Sequence, residues 1–228
     1  VSVRRVEDIT QALWGTRVSP GTVSNLNQKI YARIEKWRNR PIRGSFPYVY
    51  LDGIVLKRTW AGEVRNVSVL VAIGVDNEGF REILGVMEGA KEDKESWSNF
   101  LRHLKKRGLS GVRLIISDAH TGLQAARQAV FGSIPWQRCQ FHLQQNAQKY
   151  VPRNRMKKEV AGRIRAIFTA PDNEEALRLL QLFLEDYQQR APDLVSWAAT
   201  ALPEGLVVMQ MPPEHRQRLR TVNMLERL

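Results

Sequence analysis

The chain has 228 residues, 43% of them hydrophobic, which is enough to bury one substantial core together with a small additional domain. Its single cysteine, Cys139, excludes an internal disulfide framework and suits a reducing compartment. The sequence contains neither an apolar run long enough to cross a bilayer nor a signal sequence, so we expect a cytoplasmic protein. The formal net charge of +12 favours a polyanionic partner, either nucleic acid or an anionic membrane surface.

Residues 1–40 are predicted to form two helices. Val6, Ile9 and Leu13 are spaced by three and four residues, and Gly15 follows as a stop signal. Ser19-Pro20 is typical of an N-cap followed by proline in the first helical turn. The second helix continues with one apolar stripe at steps of three and four residues: Val23, Leu26, Ile30, Ile34 and Trp37.

These two helices and the short turn between them resemble a helix-turn-helix, with an ordinary helical hairpin as the alternative. Residues 1–46 carry nine Lys and Arg against three acids, half of the net charge, so we expect this region to contact DNA. The side chains that suit phosphates and base edges are Thr22, Ser24, Asn25, Gln28 and Lys29. A basic linker, Arg38–Ser45, adds Arg38 and Arg40 to the predicted DNA-binding residues and completes a segment at residues 1–45.

Residues 46–142 are predicted to form an α/β core. The elements, in chain order, are strands at 48–56, 66–75 and 80–87, a helix around 97–104, a strand at 112–117, a helix at 120–131 and a strand at 135–141. Asp76-Asn77-Glu78-Gly79 is predicted to be a hairpin loop. The order β-β-β-α-β-α-β is the plan of the ribonuclease-H-like fold, in which the first and fourth strands are neighbours. This plan sets Asp52 beside Asp118.

Two acids in this core are candidates for a metal-binding pair. Asp52 interrupts the β-rich segment Tyr48–Leu56, where a bound cation would offset the cost of burying an unpaired carboxylate. The alternative is a bulge or bend at Gly53 that leaves Asp52 in solvent. Asp118 follows the apolar run Leu114–Ile116, at the strand end where open α/β sheets place their ligands. The alternative for Asp118 is that it only caps the next helix.

Residues 143–215 are predicted to form an all-helical insertion. Apolar spacing and a capped start predict helices at 156–167, 172–187 and 193–202. Residues 216–228 are predicted to begin a final helix. Two-metal phosphoryl transfer needs a third acid, expected from a helix packed against the sheet, and Glu226 is the candidate.

Four short motifs carry a resemblance to a known family. They are Tyr50-Leu51-Asp52-Gly53, Ser117-Asp118-Ala119-His120-Thr121-Gly122-Leu123, Gln137-Arg138-Cys139-Gln140-Phe141-His142, and Leu219-Arg220-Thr221-Val222-Asn223-Met224-Leu225-Glu226-Arg227. In this order they resemble transposases of the Mutator superfamily, in its prokaryotic insertion-sequence branch. The resemblance runs from about residue 1 to the last residue.

The resemblance implies a catalytic triad of Asp52, Asp118 and Glu226 on a ribonuclease-H-like core (β-β-β-α-β-α-β-α), with an all-helical insertion before the last helix. These carboxylates would bind Mg²⁺, for which Mn²⁺ substitutes. The implied activity of this DDE transposase is metal-dependent DNA strand cleavage at transposon ends and strand transfer into target DNA. The implied partners are double-stranded DNA and a second copy of the chain, with no membrane, at the nucleoid in bacterial cytoplasm.

The family also carries a Cys-x-x-His pair, here Cys139 and His142. Its two interpretations are half a zinc site, for which the sequence offers no second pair, and a structural or DNA-end-positioning role. His120 is expected to orient Asp118, to contact a DNA phosphate, or only to begin a helix. The chain stops two residues after Glu226, where a helix is expected to fray. The alternative functions are therefore a truncated, inactive fragment that only binds DNA, and a nuclease or junction resolvase of the same fold.

Overall fold

The computed structural model of the chain describes residues 3–60, 63–89 and 93–222. The chain divides into two compact units, Val1–Pro41 and Ile42–Leu228. The boundary between the units falls inside the predicted linker, between Pro41 and Ile42. Ile42 belongs to the second unit, where its backbone N–H donates to the carbonyl of Arg107 at 2.7 Å. Within the described ranges, no helix combines the length and the apolar character needed to span a membrane.

The first unit contains the two predicted helices, α1 (Val3–Trp14) and α2 (Pro20–Arg38). Gly15 follows α1 with a φ of 65°, a backbone conformation that glycine adopts at little cost. Ser19 caps α2, since its hydroxyl accepts a backbone N–H of the first turn at 3.1 Å. Of the predicted apolar stripe, Val23 is buried, whereas the other four side chains are 38% to 53% exposed. The prediction of both helices is confirmed. The apolar stripe of α2, however, is mostly exposed to solvent.

The second unit is built on one sheet. Its described strands are β1 (Tyr48–Trp60), β2 (Glu63–Val75), β3 (Arg81–Gly89), β4 (Leu114–Ser117) and β5 (Trp136–Arg138). They lie in the order β3-β2-β1-β4-β5, with β1, β2 and β3 antiparallel and β4 and β5 parallel to β1. The prediction that the first and fourth strands are neighbours is confirmed. The hairpin loop between β2 and β3 is confirmed as well, because the Asp76 carboxylate accepts two backbone N–H groups of that loop.

Two amphipathic helices, α3 (Lys94–Lys106) and α4 (Thr121–Phe131), cover one face of the sheet. Trp97 and Phe100 of α3 have no exposed surface and pack in the same cluster as Leu51 of β1. We call this side of the sheet the helix-covered face. The apolar residues of α3 and α4 that pack on this face recur at the helical spacing from which both helices were predicted.

The helical insertion has a hydrophobic core of its own, distinct from the two clusters on the sheet. Its helices are α5 (Gln140–Ala147), α6 (Lys157–Phe168), α7 (Asn173–Tyr187) and α8 (Pro192–Ala201), with a short 3₁₀ turn at Asn154–Met156. Two further 3₁₀ turns, Pro203–Gly205 and Val207–Gln210, and the short helix α9 (Pro213–Arg216) follow α8. The predicted strand at 135–141 is wrong at its end. Phe141 lies in α5, because Gln140 already begins a helix that Cys139 caps.

Residues 204–222, which we call the return segment, lead back from the insertion onto the opposite face of the sheet. Leu219 and Val222 are buried there in one cluster with Tyr50 of β1 and Ile116 of β4. The predicted final helix is wrong for residues 219–222, which are not helical. Two of their backbone groups bind residues of another segment, since the Arg220 carbonyl accepts the N–H of Gln140 and the Val222 N–H donates to the thiol of Cys139. Residues 223–228 of the predicted helix lie outside the described residues.

Candidate active site

The strand register brings the two predicted acids together. Tyr50 of β1 pairs with Ile116 of β4, so the register extended by two residues sets Asp52 opposite Asp118. Alternate residues of a strand share a face, which puts Asp52 on the same side as Tyr50. Asp118 therefore directly follows the carboxyl end of β4, and Asp52 lies within β1, two residues beyond the last β1–β4 pair and on the face that the return segment covers.

Two structural features that the sequence left open as alternatives, a bulge at Gly53 and an Asp118 cap on α4, are not seen in the described residues. The β1–β2 ladder continues without a register shift through Asp52 and Gly53, so the predicted alternative of a bulge is wrong. Asp118 does not cap α4, because the N-cap position is His120, and the Asp118 Oδ1 atom instead accepts the N–H of Ala119 at 2.7 Å. The Asp118 side chain is 40% exposed.

His142 lies between the acids and Cys139. Its Nδ1 atom is 3.8 Å from the Oδ2 atom of Asp118. The side-chain hydrogen bond with Cys139 raises the pKa of His142 to about 9 against the opposing effect of burial, and the charges of Asp118 and Asp52 raise it as well. A protonated imidazole at neutral pH offsets part of the repulsion between the two neighbouring carboxylates.

Cys139 connects this site to the return segment. Its thiol is fully buried and accepts the backbone N–H of Val222, with 3.5 Å between Sγ and N. The backbone N–H of Cys139 donates to the carbonyl of Ser117 at 2.8 Å, directly before Asp118. The Cys-x-x-His pair therefore contacts both Asp118 and the segment that leads toward Glu226.

The start of the return segment is held by two glutamines whose role the sequence did not reveal. The Nε2 atoms of Gln137 and Gln140 both donate to the carbonyl of Gly205, each at 2.8 Å. The Oε1 atom of Gln137 accepts the N–H of Val208 at 2.7 Å. Gln137 is the buried residue of β5, so its side-chain amide needs hydrogen-bond partners. A polar residue inside a strand was the only feature of the sequence that pointed to this role.

The carboxylate pair provides hard oxygen ligands of the kind that Mg²⁺ and Mn²⁺ prefer. Among the described residues, no three of the histidines, cysteines and acids are grouped closely enough to hold a metal ion. The third predicted ligand, Glu226, lies outside those residues. Asp52 and Asp118 thus fit a divalent cation as two members of a larger ligand set.

Of the predicted DNA-binding residues, His120 belongs to the second unit. That histidine is half-buried at the N-terminus of α4, two residues after Asp118. The others lie in the first unit, where four are exposed and two make local contacts: Thr22, Asn25, Gln28 and Lys29 on α2, Arg38 paired with Glu35 at 2.7 Å, and Arg40 over the Trp37 ring at 4.5 Å.

Comparison with known sequences gives one consistent result. The family profile described as "Transposase, Mutator family" matches residues 1–228. The transposase for insertion sequence element IS406 of Burkholderia multivorans is 46% identical over 230 residues, which cover 100% of this chain and 59% of that protein. The transposases for ISRM5 of Rhizobium meliloti and for IS256 in transposon Tn4001 of Staphylococcus aureus are 35% and 32% identical. Both matches cover 100% of this chain; they cover 57% of the ISRM5 transposase and 59% of the IS256 transposase.

The chain therefore spans less than two thirds of the length of these relatives. Similarity to solved structures is low. The HTLV-2 integrase catalytic core domain in complex with magnesium (trimeric form) is 17% identical, covering 78% of this chain and 99% of that chain, with a TM-score of 0.26. A TM-score of this size does not assign a fold.

Proposed function

The chain belongs to the Mutator family of transposases, and we propose that it carries the active site of a DDE transposase that cuts DNA at transposon ends and joins those ends to target DNA. The observation that carries this proposal is the parallel β1–β4 register, which ends at the pair Tyr50–Ile116, two residues before each acid. Both Asp52 and Asp118 also act on the charge of His142, which supports their proximity. The strand order, with three antiparallel strands followed by two parallel ones, supports a ribonuclease-H-like core.

Asp52, Asp118 and Glu226 are the proposed ligands of Mg²⁺, for which Mn²⁺ substitutes. When bound, the metal supplies electrostatic stabilisation of the charge that develops on the attacking and leaving oxygens. In the proposed reaction a water oxygen bonds to the phosphorus at the transposon end while the bond from phosphorus to O3′ breaks. The released 3′-hydroxyl then bonds to the phosphorus of a target phosphodiester while the target's own bond from phosphorus to O3′ breaks, which leaves a 3′-hydroxyl on the target strand. The chain's own residues position these groups, because the carboxylates are fixed by adjacent strands.

Successive contacts of the return segment support Glu226 as the third acid. The hydroxyl of Tyr48 lies 2.7 Å from Nδ1 of His215, and the hydroxyl of Tyr50 donates to the carbonyl of Arg218 at 2.9 Å. The next residue on this face of β1 is Asp52.

The direction of the return segment along β1 is therefore toward the carboxylate pair. Val222, bound to the Cys139 thiol, is the last described residue. Glu226 follows it by four residues, which span at most about 14 Å when fully extended. This maximum distance between Val222 and Glu226 supports Glu226 as a ligand in the same metal site as Asp52.

Double-stranded DNA is the proposed partner, both as transposon ends and as target. The exposed polar side chains of α2 and the basic excess of residues 1–46 support contacts between the first unit and the phosphate backbone. A homodimer on DNA remains part of the proposal, and the mass of the chain bound to duplex ends tests it. A mass that corresponds to one copy at every concentration would contradict the dimer.

The proposed activity is tested by Mn²⁺-dependent nicking of duplex DNA that carries candidate element ends. Asp118→Asn removes one charged ligand and is expected to lower the nicking rate by about 100-fold or more. Asp76→Asn is the matched control, because this acid lies in the β2–β3 loop and its Oδ1 atom serves only local backbone N–H groups. The control is expected to nick like the unmodified chain.

Equal nicking by the unmodified chain and Asp118→Asn would contradict the proposed site. Retained DNA binding without nicking by the unmodified chain would instead favour a fragment that only binds DNA.

A further inference from the structure

The helical insertion carries its charge unevenly. Residues 143–158 contain five Lys and Arg and no acid, whereas residues 159–203 contain four Arg and seven acids. The five cations of the first part fall within residues 149–158, which we call the basic segment: Lys149, Arg153, Arg155, Lys157 and Lys158. The insertion is therefore strongly basic at its start and acidic over the rest of its length.

The backbone of the basic segment is anchored in the core of the insertion. Val151 and Met156 are buried there in one hydrophobic cluster. The ring of Tyr150 stacks on the ring of Trp197, with 5.4 Å between their centroids. All five cations, by contrast, are exposed to solvent. The segment thus presents its positive charge from a fixed scaffold.

The charge of the basic segment is not neutralised by nearby acids. Among the described residues, the side chains of Arg153, Arg155, Lys157 and Lys158 make no hydrogen bond or ion pair. Later arginines of the insertion each have an acidic partner: Arg163 with Asp186, Arg178 with Glu175, and Arg190 with Glu159. The basic segment therefore differs from the rest of the insertion in presenting cations that are available to an external anion.

Two of these cations share one hollow. Arg153 and Arg155 line a hollow of about 500 Å³ together with Arg190 and Glu159. The carboxylate of Glu159 is already engaged, because it accepts the hydroxyl of Tyr187 at 2.7 Å and pairs with Arg190 at 3.4 Å. The planar donors of a guanidinium match the oxygens of a phosphate. This arrangement suits a phosphate ligand.

Helix α5 joins the basic segment to the candidate active site. The Nδ1 atom of His142, on α5, lies 3.8 Å from the Oδ2 atom of Asp118. The helix ends at Ala147, and Lys149 follows two residues later. A helix of this length spans about 12 Å, and phosphates of one DNA strand follow each other about every 3.4 Å along the duplex. The basic segment is therefore a few phosphates away from Asp118.

We propose that the basic segment binds the phosphate backbone of duplex DNA a few base pairs from the bond that the active site cuts. This inference rests on the proposed function, because it places the contact relative to that bond. Five exposed cations suit the repeated phosphates of a duplex better than a single small anion. They do not suit a membrane surface, since the apolar Val151 and Met156 are buried instead of facing lipid.

The test is the salt dependence of DNA binding, measured by fluorescence anisotropy of a labelled duplex that carries an element end. EDTA is present, so that no metal-dependent step contributes. Arg155→Gln combined with Lys158→Gln removes two cations, and each phosphate contact contributes about 0.9 to the slope of log affinity against log salt concentration. The slope should therefore fall by about 1.8, and the affinity by about tenfold or more.

The matched control is Arg102→Gln combined with Lys106→Gln, the same change of charge at exposed positions of α3. This pair should leave the slope unchanged, and an equal fall in both pairs would contradict a local contact. Arg155→Lys combined with Lys158→Arg keeps both charges and should keep the slope. A slope that falls as far in this exchanged pair as in the Gln pair would contradict binding through charge.

The position of the contact is tested with an iron–EDTA probe on Asn154→Cys, since Asn154 is exposed and uncharged and Cys139 is buried. Hydroxyl radicals should cleave the duplex within a few base pairs of the cut bond. Radical cleavage of the element end assigns the phosphates to the transposon, and cleavage of a joined target duplex assigns them to the target. Cleavage more than one helical turn from the cut bond, or without a preferred position, would contradict the proposal.

Failure of this inference and failure of the proposed function give different results. If Asp118→Asn nicks DNA like the unmodified chain, the active site is wrong, and the slope still reports on the basic segment. If Asp118→Asn is inactive and the Gln pair leaves the slope unchanged, only the role of the basic segment is wrong. An unchanged slope together with lost binding to phosphatidylserine vesicles would assign the segment to a membrane surface instead.

Discussion

The two faces of the sheet are covered in different ways. On the helix-covered face, α3 and α4 bury apolar side chains such as Trp97, whose indole N–H has no hydrogen-bond partner among the described residues. On the opposite face, the return segment consists of short helical turns joined by irregular stretches, and hydrogen bonds to Gln137, Gln140 and the tyrosines of β1 hold it. A helix satisfies its own backbone, whereas an irregular segment on a sheet needs polar side chains to do so. The acids lie on the second face.

The largest expected effect comes from the helix-covered face. Trp97→Ala should lower the free energy of unfolding by about 4 kcal/mol, because it empties a fully buried site that apolar packing alone holds. Denaturant unfolding measures the change. The control is Trp197→Ala, since Trp197 is only partly buried and stacks on Tyr150 in the insertion. An equal loss from both variants would contradict the difference in packing.

A smaller effect is expected from overpacking where the return segment begins. Gly205→Ala should cost about 2 to 3 kcal/mol, because the new methyl would meet Leu143 Cδ1 at 2.6 Å and Phe168 Cε1 at 2.9 Å. Thermal unfolding tests this cost. Gly162→Ala is the matched control, since a Cβ atom there meets nothing within 4 Å and alanine favours the helix α6. A destabilised Gly162→Ala would contradict the steric explanation.

The smallest effect should come from a single hydrogen bond on the return-segment face. Burial raises the pKa of Tyr50 to about 12, so its hydroxyl stays protonated at neutral pH and donates to the carbonyl of Arg218. Tyr50→Phe should lower the free energy of unfolding by about 1 kcal/mol. Hydrogen exchange should show faster exchange in residues 215–222 than in β1. Uniformly faster exchange would mean that the two faces open together.

The sequence predicted the helix-covered face and the adjacency of β1 and β4 well. Periodicity identifies α3 and α4, because an amphipathic helix repeats its apolar residues at a fixed interval. The strand order was predictable because three hairpin-linked strands followed by alternating helices and strands define one plan, in which β1 lies beside β4.

The return-segment face was not predictable in the same way. Gln137 reaches Gly205 across 68 residues of sequence, and an irregular segment has no period from which such a contact can be predicted. The predicted helix at 219–222 failed because the apolar residues Leu219 and Val222 pack on the sheet without helical hydrogen bonds. In the first unit, the spacing predicted α1 and α2 but not the exposure of the apolar stripe, because spacing does not say what a face packs against.

The buried thiol of Cys139 has a practical consequence. It is the only sulfhydryl in the chain, and it is covered where it binds the N–H of Val222. An alkylating reagent can reach it only when this contact opens, so each modified molecule carries one tag and records one opening. The rate of alkylation under native conditions therefore measures how often the contact between Cys139 and Val222 opens, and no engineered cysteine is needed for this measurement.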